Sequence, residues 1–454
     1  MKKSVIFLCL AMMFLSNIQA QKKIWDESEI EKENRLTWWT NDRFGMFIHW
    51  GIYSLAARHA WVKNRERISE EEYKKYFDNF NPDLYNPTEW AKMAKAAGMK
   101  YAVITTKHHD GFTLFDSKYT DYKITNTPYG KDAIKEWVDA FRAEGIKIGL
   151  YYSLLDWHHP DYTVDKRHPL RVNTDEEYAK LNKDRDIKVY QKYMKNQVTE
   201  LLTNYGKIDL LWLDFSFPEK NGKNKDDWDA VNLIKMVRKL QPKIIINDRA
   251  DIKDYEGGGD FTTPEQVKVA KWPTYNGKKI PWETCQTFSG SWTYNRDEFT
   301  WKDNKQLLVL LIETVSKGGN VLLNVGPTAR GVIDYRAQSA LEKIGDWMKL
   351  NSKSIYGCTQ ASDEFEVPNN TILTYNPKTK RLYIHLIDYP LGNLTLKGMK
   401  GKIKYMQFLH DASEILVHKG RRLNEEKADE SDVIIKLPIN KPNVEIPVIE
   451  IILE

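Results

Sequence analysis

Cysteine is scarce: the 454 residues hold three, of which Cys9 falls in an N-terminal apolar run and Cys285 and Cys358 lie in the body of the chain. One disulfide at most can form there, too little to staple a chain of this length, so stability has to come from packing. Charge of one sign is missing too. Lys and Arg number 68 against 63 Asp and Glu, interspersed rather than blocked, which excludes a nucleic-acid groove and a polybasic membrane patch. After the N-terminal segment no apolar run reaches the ~20 residues of a membrane-spanning helix. A Gly-rich phosphate fingerprint after the first strand-like segment is absent; the chain there reads His49-Trp50-Gly51, and a dinucleotide fold loses its support. Neither HExxH nor His-x-His occurs, so no metal site is expected, and the basic run His418, Lys419, Arg421 and Arg422 reads as a solvated face.

Aromatic residues, by contrast, are plentiful, with 15 Trp and 24 Tyr. Flat amphipathic rings in such numbers suit a cleft that stacks on sugar faces, the competing reading being an aromatic core. At the N-terminus, Lys2 and Lys3 precede an apolar run over 5–15 and a small residue, Ala20. This pattern predicts a secretory signal over 1–20 and an exported protein, periplasmic or secreted.

Near-continuous apolar segments at 45–51, 101–106, 146–153, 210–215, 243–249 and 320–326 read as strands covered on both faces. Helical periodicity fills 87–97, 133–144, 176–205, 228–240, 305–316 and 335–351. This alternation predicts an α/β fold, an irregular (β/α)8 TIM-like barrel over 21–357. Beyond Tyr356-Gly357 short alternating strands predict an antiparallel β-sandwich over 358–454.

In such a barrel the reactive groups sit where strands end. Those ends are polar: His49, then His108-His109-Asp110, then Tyr151, then Trp212 and Asp214, then Arg249. Converging hydrogen-bonding groups and aromatic rings suit a polyhydroxylated ligand. Asp214 directly follows four apolar residues and is the candidate nucleophile, the competing reading being a helix cap. A glycosidase needs a second carboxyl group. Glu265 is the first candidate, on a segment whose glycines 257–259 suggest a mobile loop; Glu283 competes with it but reads better as orienting its neighbours from a strand, and Asp260 is a third possibility. His108 and His109, adjacent in an extended segment, are expected to point to opposite sides. His158-His159 reads equally as a surface loop or as the rim of a subsite.

Four motifs, in order along the chain, carry a family likeness: 43–51 (RFGMFIHWG), 106–112 (TKHHDGF), 211–214 (LWLD) and 316–327 (SKGGNVLLNVGP). Together they resemble α-L-fucosidases of glycoside hydrolase family 29. The resemblance implies a retaining mechanism without metal or organic cofactor, acting on terminal fucosyl residues of oligosaccharides or glycoconjugates. It implies Asp214 as nucleophile and Glu265 as acid/base. His49, His108, His109, Tyr151 and Arg249 match positions that hold the sugar hydroxyls and ring oxygen. Trp61 and Trp292 match positions that shape the pocket, with Trp212 beside the nucleophile. One departure is Ala60, where many relatives carry Glu before the matching tryptophan. The alternatives are a fucose-binding paralogue of weak catalysis, an α-L-galactosidase and, more distantly, a metal-dependent barrel hydrolase.

Overall fold

The structure is a computed structural model that describes residues 24–417 and 429–454; the signal segment expected over 1–20 and the basic run at 418–422 lie outside the described residues. Seven strands form one parallel sheet: β1 (Phe44–Ile48), β2 (Tyr101–Lys107), β3 (Lys147–Ser153), β4 (Leu210–Asp214), β5 (Ile245–Ile246), β6 (Glu283–Thr287) and β7 (Asn320–Val325). Their spatial order is β5-β4-β3-β2-β1-β7-β6, with parallel pairing at each step. The curled sheet is linked edge to edge by an irregular segment, residues 261–265. Phe261 bridges to Asn247 after β5, while Thr262 and Glu265 bridge to Trp282 and Cys285 on the β6 side. The eighth position of the barrel is therefore an extended segment rather than a regular strand, which is where Glu265 sits.

Side-chain alternation divides the apolar residues into two cores. Phe47, Tyr151, Trp212, Cys285 and Leu322 fill the barrel interior. Met46, Ile48, Ile104, Leu150, Leu211, Leu213 and Leu323 face outward and pack under the helices. Those helices include Pro87–Ala96, Ala133–Ala143, Ala230–Leu240, Asn304–Ser316 and Tyr335–Asn351, close to the periodic stretches in the sequence. The stretch expected as one helix over 176–205 is two, Asp175–Asn182 and Ile187–Asn204. The Asp186 side chain accepts the backbone N–H of Lys188 and caps the second, which ends the first. β5 is shorter than expected because Asn247 leaves the ladder. Its side-chain amide pairs with the N–H and C=O of Leu213 at 3.0 and 2.9 Å.

The C-terminal part has the expected two layers. Thr371–Asn376, Arg381–Leu386, Val448–Leu453 and Ile403–Phe408 make a four-stranded antiparallel sheet in that order. A ribbon of Asn393–Leu396 and Val433–Lys436 forms a second layer, with Leu394 and Ile435 in one core with Ile384 and Ile451. This unit is fixed to the barrel by polar bonds as well as packing: Trp347 Nε1 donates to the Ile446 carbonyl at 2.9 Å, and Thr374 Oγ1 to that of Ser354 at 2.7 Å. Cys285 and Cys358 are both free and buried, so the single disulfide that the sequence allowed is not formed. Among the described residues no helix is long and apolar enough to cross a membrane.

Candidate active site

Position along the strands sorts the polar side chains of the barrel interior into layers. Glu283 opens β6, two residues before Cys285 on the same face, and so lies below it. It is fully buried, accepting from Tyr101 Oη at 2.5 Å, Trp212 Nε1 at 3.2 Å and Trp39 Nε1 at 3.3 Å. Burial pushes its carboxyl up to about 7 against these three donors. Glu283 thus orients the Trp212 ring from beneath and is not part of the cavity lining. Asp260 is outside that lining as well: its carboxylate is held by Arg35 at 2.8 Å and Arg238 at 2.6 Å, and it accepts the N–H of Ile246.

At the C-terminal ends of the strands a cavity of about 440 Å³ opens. Asp214 ends β4 and is on its floor, 7% exposed. Tyr151 Oη donates to Asp214 Oδ2 at 2.8 Å and Arg249 donates to Oδ1 at 2.8 Å. The same guanidinium donates to Glu265 Oε2 at 2.9 Å and to Thr263 Oγ1 at 2.7 Å, while lying 4.6 Å above the Trp212 ring. Two carboxylates therefore grip adjacent nitrogens of one arginine, and they are the two acids that line the cavity. Burial pushes the Asp214 carboxyl above its ordinary value, with Arg249 opposing that rise and Glu265 adding to it. The Glu265 side chain is 41% exposed, open to solvent at the cavity.

His49, His108 and His109 are neutral, and partners fix the tautomers of His49 and His109. Asn324 Nδ2 donates to the Trp292 carbonyl at 2.5 Å, so its Oδ1 faces His49 Nδ1 at 2.6 Å and that nitrogen carries the proton. Ser153 Oγ donates to the Leu155 carbonyl at 2.8 Å and so accepts from His109 Nδ1 at 2.6 Å. Both rings are left with Nε2 as a free acceptor; that of His109 is 3.8 Å from Asp214 Oδ2. Burial drives His49 down to about 3 and both His108 and His109 well below the usual histidine range. His108 Nδ1 is buried without a partner. Such a set of acceptors suits hydroxyl donors.

His108 and His109 both line the cavity, their rings 4.0 Å apart, which corrects the expectation that they face opposite ways. β2 ends at Lys107 and the chain turns, with Gly111 N–H donating to the His108 carbonyl at 3.1 Å. Lys107 anchors the turn: fully buried, it pairs with Asp156 at 2.8 Å, and Asp156 accepts the N–H groups of His158 and His159 at 3.0 and 2.9 Å. Gly111 (φ +83°) is required because a Cβ there would stand 2.4 Å from Asp156 Oδ1. His158 bonds Glu70 at 3.0 Å and His159 packs on Tyr193, and neither is part of the cavity lining.

Aromatic rings complete the walls. Trp61 meets His109 at 4.9 Å and Phe215 at 5.7 Å; Trp292 meets His49 at 4.9 Å and Phe47 at 6.1 Å. Of the residues that the family likeness assigns to the site, Arg249 alone is absent from this lining; it forms part of a neighbouring cavity that shares Phe215 and Glu265. Ala60 is buried beside Trp61. Sequence reasoning missed Phe47, Cys285 and Asn324, although Phe47 is in phase with His49 and Cys285 with Glu283; no selected residue on the strand of Asn324 pointed to it. Two of the glycines before Glu265 are closely hemmed in: a Cβ at Gly258 would stand 2.0 Å from Ile252 Cγ2, and one at Gly259 2.5 Å from Asp248 Cα. They permit close packing.

Comparison with known proteins gives one consistent result. A family model described as alpha-L-fucosidase matches residues 11–353. The chain is 28% identical to the alpha-L-fucosidase of Dictyostelium discoideum, covering 88% of this chain and 91% of that one. It is 28% identical to the tissue alpha-L-fucosidase of Homo sapiens, covering 81% and 82%. Among solved structures, alpha-L-fucosidase isoenzyme 1 from Paenibacillus thiaminolyticus is 44% identical with a TM-score of 0.86, covering 93% and 99%. A trapped covalent intermediate of a GH29 alpha-L-fucosidase from Bacteroides thetaiotaomicron, formed with 2-fluoro-fucosyl fluoride, is 27% identical with a TM-score of 0.78, covering 94% and 97%.

Proposed function

The chain belongs to the alpha-L-fucosidase family, and from that premise we propose that its cavity hydrolyses terminal α-L-fucosides with retention of configuration. The observation that carries this reading is the pair of carboxylates, Asp214 and Glu265, held by the one guanidinium of Arg249 beside an array of neutral histidines. In the first step an Asp214 oxygen attacks the anomeric carbon while Glu265 gives its proton to the departing oxygen. In the second, Glu265 takes a proton from water, whose oxygen attacks the same carbon and frees Asp214. Arg249 and Tyr151 keep Asp214 ionised and oriented. His49 and His109 accept sugar hydroxyls at Nε2, and His108 offers its unpartnered ring nitrogen. Trp61, Trp212 and Trp292 supply apolar faces. A buried methyl is worth about 0.8 kcal/mol, so the hydroxyl pattern carries most of the selectivity.

Residues 21–357 form the catalytic unit in this reading and 358–454 an accessory sandwich. The charged and apolar pattern of the first 20 residues supports export. The test is hydrolysis of an aryl α-L-fucoside, with the anomeric form of the first-released sugar followed by NMR. Initial α-L-fucose is the expected product. Fucose binding without release would assign a lectin, and faster cleavage of the α-L-galactoside would reassign the sugar.

A further inference from the structure

The cavity is larger than one hexose needs, and about 440 Å³ is the volume that holds a multi-ring ligand. Its mouth is unevenly charged. Arg65, Lys166, Arg167 and Arg171 line it, whereas its two acids, Asp214 and Glu265, are both engaged by Arg249. Lys166 pairs with Glu219. The three arginines have no carboxylate partner among the described residues.

The nearby acids are committed elsewhere. Glu66 pairs with Arg58 at 2.7 Å, and Glu70 with Lys63 at 2.5 Å and His158 at 3.0 Å. Asp165 accepts the backbone N–H of Arg167 at 2.7 Å and lies 3.7 Å from Lys223. Arg171 donates to the carbonyls of Asn64 and His168 at 3.0 and 3.4 Å. Burial and the neighbouring Arg67 push its pKa down, the sign of a cation short of counter-charge. The Arg167 guanidinium lies 5.7 Å from the rings of Phe215 and Phe217, and its Nε is buried without any acceptor. Part-buried cations left without anions cost free energy that a bound anion recovers.

We propose that this mouth binds an anionic group, a sulfate ester or a carboxylate, carried by the fucosylated substrate. Planar guanidinium forks suit such oxyanions better than lysine does. The inference rests on the fucosidase reading for the rest of the ligand, and its test separates the two.

The experiment compares fucosyl disaccharides that are neutral, sulfated on the fucose ring, or charged on the neighbouring sugar. Dissociation constants are measured calorimetrically with the full-length Asp214→Ala protein, and kcat/KM with the wild type. The charged forms are expected to bind about tenfold more tightly than the neutral one at low salt, with the difference shrinking as ionic strength rises. Preference for the ring sulfate assigns the arginines to the fucose itself; preference for the other form assigns them to the next sugar. Arg65→Glu, at an exposed position, and Arg167→Gln should each reduce the ratio of charged-ligand to neutral-ligand affinity, and a ratio left intact in both overturns the proposal. Equal binding of neutral and charged forms overturns the proposal even when the neutral substrate is cleaved. Tight charged-ligand binding without any fucoside cleavage would leave the anion site standing and remove the fucosidase reading.

Discussion

At the scale of the residue, Arg249 is shared by two carboxylates with different duties, one floor-bound and buried, the other part-exposed. Its charge opposes the burial that pushes Asp214 upward. Replacing Arg249 with Gln removes that opposition, so Asp214 should take up its proton at a higher pH. The acid limb of kcat/KM should then move upward by a unit or more, on the order of 1.4 kcal/mol per unit. A pH profile whose acid limb stays in place would show that Arg249 does not set the ionisation of Asp214. Glu265→Ala should regain activity with azide on substrates whose leaving group needs no proton, because the small anion occupies the vacated space and attacks the glycosyl-enzyme. The same rescue at Glu283→Ala instead would move the acid/base to Glu283. Asp214 was legible in the sequence because four apolar residues run straight into it. So was the orienting role of Glu283 from a strand; the place of Glu265 beside Arg249 was not, since the segment holding it follows no regular period.

Elements set where these residues stand. The turn after β2 brings His108 and His109 to one side because Lys107 and Asp156 form a buried pair beneath it and Gly111 leaves room for that pair. Gly111→Ala should cost more than about 1 kcal/mol through its positive φ and the clash with Asp156. Lys107→Met should cost roughly 3 to 5 kcal/mol by stranding the Asp156 carboxylate. Denaturant unfolding measures both, and a loss below about 0.5 kcal/mol in either would refute the anchoring role. Six strands and most helices were readable from periodicity, with their ends, except within 176–205, which the structure divides in two. The helix Glu29–Asp42 was overlooked although Ser28 and Glu31 form a capping box at its start. β6 was read only through Glu283, because ETCQT is polar in composition; Glu283 is satisfied inside the barrel and Gln286 by Thr284 on the outward face.

The whole molecule balances stability against a polar barrel interior. Glu283, fully buried with its pKa pushed up to about 7, favours folding while protonated. Its contribution is complete below the ordinary glutamate range and is lost as pH rises toward 7, amounting to roughly 3 kcal/mol. Glu283→Gln should therefore flatten the fall in unfolding free energy between about pH 4.5 and 7, and an unchanged slope would place the ionisation elsewhere. Barrel and sandwich were both legible as a change of period near Tyr356. Closure of the barrel through 261–265 was not, because it depends on three isolated bridges between segments that are distant along the chain. That closure brings Glu265 to Arg249 and Asp214, and the account stands on Asp214 as the atom donor of the covalent step. The most direct test is mass spectrometry of the protein after exposure to 2-fluoro-fucosyl fluoride. The account predicts one added fluorofucosyl group on the peptide that contains Asp214, and its absence from Asp214→Ala. Labelling on another carboxylate, or turnover without any trapped adduct in Asp214→Ala, would contradict it.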